Sequence, residues 1–176
     1  MSTRRKVLLF ASPSLAVLAL PATLLTLWIG FGITWCDTGS EPVGWYRTTS
    51  GPIQRGGFAT FKLPEEIQRF AIDRGYLKSR RPWPSYLTKR VAALPGDTVE
   101  VTQAGVFING RLWPDSKPLE HDPAGRSMSA YLGTYRIAPG YFLPLSDHPQ
   151  GWDGRYFGPQ PMSNIVGPAR RIWKWN

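Results

Sequence analysis

From Val7 to Trp35 the chain runs 29 residues without a charged side chain, directly after Arg4, Arg5 and Lys6. About 20 apolar residues suffice to carry a helix across the hydrocarbon layer, so this stretch predicts a single membrane helix. Pro13 and Pro21 would kink it, which a membrane helix tolerates better than a soluble one. Trp28, Phe31 and Trp35 sit toward its far end, where aromatic rings favour the lipid–water interface. The basic cluster before the segment holds that end in the cytoplasm, so everything beyond about residue 35 is expected to be exported. A removable signal segment is the competing reading, with small residues around Ala22, although the apolar run is about twice the usual length of such a core. A lipoprotein signal ending at Cys36 is opposed by the bulky Trp35 just before it. The expected organisation is a cytoplasmic tip and anchor (or signal segment) over residues 1–35, followed by one domain over 36–176. Cys36 itself reads as a membrane-edge residue.

The rest of the composition removes several kinds of chemistry. One cysteine excludes an internal disulfide framework and a multi-cysteine zinc site, and His121 and His148 are the chain's two histidines. No metal and no cofactor are therefore expected. The formal charge of +9 invites a nucleic-acid reading, but three of those charges precede the apolar segment and the others are scattered. No basic helix face or RNA-binding aromatic pattern is present. A basic surface facing anionic lipid headgroups accounts for the charge.

Beyond residue 40 the pattern is that of short strands. Gly and Pro number 18 and 17, a density of chain breakers that favours turns over a helical bundle. Alternation predicts strands at Val43–Thr48, Gly57–Leu63, Tyr86–Leu94, Asp97–Val101, Val106–Ile108, Arg111–Trp113, Thr134–Ile137, Tyr141–Leu145 and about Asn164–Trp173. Asn109-Gly110 between two apolar runs is a strong hairpin signal. Pro64 followed by two glutamates opens a short helix carrying Ile67, Phe70 and Ala71 on one face. Residues 114–130 read as a loop. The fold class expected is mainly β: an antiparallel domain behind a single N-terminal transmembrane helix.

With no metal set and no phosphate-binding loop, Ser, Lys and Asp are the groups left to carry chemistry. Three stretches stand out: T-G-S-E-P at 38–42, Y-L-T-K-R-V-A-A-L-P-G-D at 86–97, and S-D-H-P-Q-G-W-D-G-R-Y-F-G at 146–158. In order and wording they resemble the bacterial type I signal peptidase superfamily. There a Ser-x-Pro follows the anchor, Lys-Arg leads into Pro-Gly-Asp, and Asp-x-Arg-Tyr-x-Gly lies near the C-terminus. The small size and the Gly-Trp-Tyr-Arg after the serine look most like its conjugative-transfer branch, TraF.

Alone, Ser-x-Pro is a common turn. Ser40 gains weight because it lies five residues beyond Trp35, near the membrane surface where an exported peptide bond would emerge. Lys89 is the candidate base. A free lysine, with a pKa near 10.4, is charged at neutral pH. Making it a base at pH 7–8 takes a shift of roughly three units, about 4 kcal/mol, which desolvation can supply. On a strand Leu87, Lys89, Val91 and Ala93 share one face, which gives the lysine apolar neighbours. An edge-strand lysine that guards against aggregation is the plainer reading.

The resemblance implies a Ser40–Lys89 dyad, with an oxyanion hole formed by the Ser40 N–H and the Thr38 hydroxyl. It also implies that Asp153 pairs with Arg90 or Arg155 to brace the lysine strand, or acts more directly in catalysis. The family's usual serine two residues before that acid is Gly151 here, and Gly154 stands where another serine is usual, so water, Ser146 or another group would have to steady Lys89. By the same resemblance the partners are inner-membrane lipid and an exported precursor, a propilin whose product is cyclised in that branch, and not nucleic acid. The location implied is the bacterial inner membrane with the catalytic domain in the periplasm. A general leader peptidase, or a non-catalytic assembly factor of a secretion apparatus, remains the alternative.

Overall fold

A computed structural model describes residues 32–36, 41, 43–78 and 85–174. The expected membrane segment, apart from its last residues, lies outside these. Among the described residues no helix is long and apolar enough to cross a membrane. Residues 34–176 form one compact unit.

That unit is mainly antiparallel β. Its strands are β1 (Ile33–Cys36), β2 (Gly44–Thr48), β3 (Phe58–Phe61), β4 (Leu87–Ala93), β5 (Thr98–Thr102), β6 (Gly105–Ile108), β7 (Arg111–Leu112), β8 (Gly133–Arg136), β9 (Tyr141–Leu145), β10 (Gln160–Pro161) and β11 (Ile165–Lys174). Helix α1 spans Glu65–Asp73, and the single turn α2 spans Gly154–Phe157. The described strands form a larger sheet in the order β1-β2-β11-β3-β4-β9-β10 and a smaller one in the order β7-β6-β5-β8.

Each expected strand is present, with ends shifted by a residue or two. Asn109 and Gly110 both take positive φ, 51° and 77°, as the tight turn between β6 and β7 requires. Residues 33–36, where the apolar segment ends, are extended and belong to the sheet, and Cys36 is buried beside Tyr46 and Ala169.

Two apolar clusters flank β4. One joins Phe61, Ala71, Leu87, Val91 and Phe142, with the rings of Phe61 and Phe142 edge to face at 5.3 Å. The other joins Ala92, Ala93, Val99, Val106, Leu143 and Leu145. A register shift between Val91 and Ala93 lets β4 pass from one cluster to the other, as a bulge re-aims side chains. Pro95-Gly96-Asp97 is the turn that follows. Asp97 accepts from the Leu94 N–H and Asn109 Nδ2, each at 2.8 Å, and pairs with Arg55. Burial alone would raise its pKa, but these partners outweigh it and hold the carboxyl at about 2.

Candidate active site

Alternation along β4 turns Leu87, Lys89 and Val91 inward and leaves Thr88 and Arg90 half-buried. The lysine stands opposite Ala59 on β3, whose small side chain leaves space for a long aliphatic stem. Lys89 is 1% exposed and lines a cavity of about 450 Å³ with Tyr76, Leu87, Leu119, Met128, His148 and Trp152. A cation in such a place needs a partner, because an unpaired buried charge is among the costliest features a fold can carry.

That partner includes a residue not singled out from the sequence. Glu41 lies 3% exposed, with Oε1 3.7 Å from Lys89 Nζ. Burial, opposed by the attraction of Lys89, pushes the carboxyl up from 4.5 to about 7. Between a serine and a proline, an acid reads as part of an exposed turn. No signal in the sequence indicates that β4 brings a lysine to it.

Ser40 and Thr38 lie outside the described residues. Asp153, at 0% exposure, sits against Arg155, also at 0%. Its Oδ1 accepts from the Arg155 N–H at 2.9 Å and from Nε at 3.0 Å. Its Oδ2 accepts from Arg155 Nη2 at 2.9 Å and from the Ser146 N–H at 2.8 Å. The other arginine considered, Arg90, does not join it. Arg90 pairs with Asp147, donates to the Gly56 carbonyl at 2.8 Å and covers the Phe58 ring at 4.5 Å. It leaves β4 from the face opposite Lys89, so alternation alone separates the two roles.

The two glycines that depart from the family pattern have a steric cause. A Cβ at Gly151 would lie 2.5 Å from the Ser146 Cβ and 2.7 Å from its Oγ, and one at Gly154 would lie 2.6 Å from the Pro144 carbonyl oxygen. Ser146, itself wholly buried, fills the room that a side chain at position 151 would need. Among the described residues no three His, Cys, Asp or Glu side chains converge as a metal site requires.

The site thus combines a mainly antiparallel β domain with a buried lysine on a central strand, followed by a Pro-Gly-Asp turn. The match to the family described as signal peptidase, peptidase S26, runs over residues 16–175. This chain belongs to that peptidase family. It is 37% identical to the plasmid transfer protein TraF of Escherichia coli over 144 residues, 78% of this chain and 81% of that one. It is 36% identical to signal peptidase I of Leptolyngbya laminosa over 90 residues, 50% of this chain and 41% of the other. A signal peptidase I structure from Enterococcus faecalis V583 aligns with TM-score 0.40 and 21% identity, over 68% of this chain and 98% of that one.

Proposed function

We propose that the protein is a membrane-anchored serine peptidase of conjugation. In this reading Ser40 is the nucleophile, Lys89 the general base, and the substrate an exported precursor, the pilin subunit. Support comes chiefly from an ion pair between the two motifs: Glu41, next to Ser40 in the sequence, has its carboxylate 3.7 Å from Lys89 Nζ.

The chemistry follows from these groups. Ser40 Oγ attacks the scissile carbonyl carbon as its proton passes to Lys89 Nζ. The oxyanion accepts from the Ser40 N–H and the Thr38 hydroxyl. Collapse breaks the C–N bond, and Lys89 returns the proton to the leaving amine. The acyl-enzyme then yields to water, giving a linear product, or to the substrate's own N-terminal amine, giving a ring. Resemblance to the transfer proteins supports the pilin and the ring; the 36% identity to a signal peptidase I favours a general leader peptidase as the second reading.

Mass spectrometry of the co-expressed pilin precursor tests the function. The wild type should give a shortened product, one water lighter if cyclised. Ser40→Ala should leave only precursor while the protein still accumulates, because loss of one hydroxyl costs little stability. Normal product from Ser40→Ala removes Ser40 as the nucleophile, and trimming of many unrelated precursors selects the second reading.

The anchor has its own test. Val7–Gly32, ahead of β1, still holds 26 charge-free residues, enough for one crossing. A reporter fused after residue 176 should be active only when it is of the periplasmic kind. Cytoplasmic activity would overturn the orientation and the exported substrate with it.

A further inference from the structure

The proposed mechanism assigns no task to Glu41, yet this carboxylate is one of the most enclosed acids in the molecule. Its side chain is 0% exposed, and neither of its oxygens has a hydrogen-bond partner among the described residues. An acid with no hydrogen bonds is costly to bury unless a cation repays it, and the cation beside it is the proposed base. Besides Lys89, the charged groups near enough to act on it electrostatically among the described residues are Arg90, on the other face of β4, and Asp147 and Asp153 in the connection after β9. Tyr46 of β2, itself beside Cys36, feels the carboxylate as well. Arg90 and Asp153 are engaged elsewhere, with Asp147 and Arg155 respectively.

We propose that Glu41 is a positioning residue for the lysine: its carboxylate holds Nζ in the cavity beside the serine and favours the ammonium form, so that it sets the pH at which the amine becomes available as a base. This deepens the serine-peptidase reading and rests on it. No bond other than N–H changes. Lys89 releases a proton to solvent, and the free amine then takes the proton of Ser40. Because burial pushes the Glu41 carboxyl up to about 7, its restraint on the lysine grows as pH passes through neutrality.

Full-length protein in detergent, assayed on the purified pilin precursor from pH 5.5 to 9, tests the role with Glu41→Gln and Glu41→Asp. Removing the anion frees the amine sooner. Glu41→Gln should therefore reach half of its own maximal rate about one pH unit below the wild type, a tenfold change in proton affinity, with the difference opening above about pH 7. Glu41→Asp keeps the charge and should keep the wild-type midpoint, at a reduced maximal rate. Coincident profiles for Gln and wild type overturn the proposal.

Thermal denaturation of the same proteins gives a readout that needs no activity. An acid whose folded pKa lies above its unfolded value loses stability as pH rises between the two. Wild type should lose stability between about pH 4.5 and 7 on this account, and Glu41→Gln should not. The melting temperature of Gln minus that of wild type should thus increase from pH 5 to pH 8; in a Lys89→Met background, where no amine opposes the effect of burial, the same difference should increase more steeply, and an equal slope in both backgrounds overturns the pairing. If wild type itself cleaves nothing, the peptidase reading fails while denaturation still decides the Glu41–Lys89 pair.

Discussion

Replacing Lys89 by arginine should leave the enzyme as inactive as replacing it by alanine, with processing slowed at least about a hundredfold in each. The two substitutions differ in everything except basicity. Arginine retains a cation for Glu41, whose Oε1 stands 3.7 Å from the present Nζ, and fills the cavity side of β4. Alanine leaves a buried carboxylate with no described partner. Arginine stays protonated throughout the working range, so it cannot take a proton from serine even if it fits. Stability should accordingly separate the variants where activity does not, with Lys89→Arg melting closer to wild type than Lys89→Ala. A lysine that served only as a counter-charge or strand guard gives the opposite ordering, with arginine active. An active Lys89→Arg protein with a flat rate profile between about pH 6 and 9 would sink the dyad, leaving the family membership without its proposed chemistry.

Much of this fold was readable because the informative signals were local. Alternation marked β4 and β9, and Asn109-Gly110 marked the hairpin, because a strand's two faces and a positive-φ turn are written in neighbouring residues. The features that were missed depend on residues distant in sequence. Ile33–Cys36 continues an apolar run without a break, and a buried strand cannot be told from the end of a helix by composition alone. The turn Gly154–Phe157 is four residues long, too short to display a helical period. Gln160–Pro161 is a two-residue strand that exists because β9 pairs with it. Glu41 is the most instructive case. Its burial is decided by the packing of β4, which is 46 positions away at Leu87, and no window around Ser40 contains that fact. The same limit left Asp153 with two arginines to choose from. Arg155 lies two residues on, in a turn that Asp153 itself caps, whereas Arg90 leaves β4 on the other face.

The second large effect is expected at that acid. Asp153→Ala should lower global stability by about 3–5 kcal/mol, the usual result of removing one member of a buried ion pair. For a chain of this length that corresponds to a fall in melting temperature on the order of 10 °C. Four donors converge on the carboxylate, and two of them belong to the Arg155 guanidinium, whose side chain is 0% exposed. Arg155 also spans to the carbonyls of Asp115 at 3.0 Å, Pro149 at 3.3 Å and His148 at 3.4 Å, so its loss of charge balance would loosen several loops at once. Two of these contacts lie on the segment that carries His148 and supplies a wall of the Lys89 cavity. Activity should therefore fall together with stability. Asp153→Asn, which keeps the shape and one acceptor oxygen but turns the other into an NH2 donor facing N–H groups and loses the charge, should lie between Ala and wild type in both measures. A direct catalytic role would separate them, cutting turnover while the melting temperature stayed put. The double variant Asp153→Asn, Arg155→Gln sharpens the distinction: removing the cation along with the anion should cost less than the sum of the two single changes, as members of one network do. Strict additivity, or an unaltered melting temperature in Asp153→Asn with lost turnover, would show that the carboxylate works on the substrate rather than on the frame that holds the lysine.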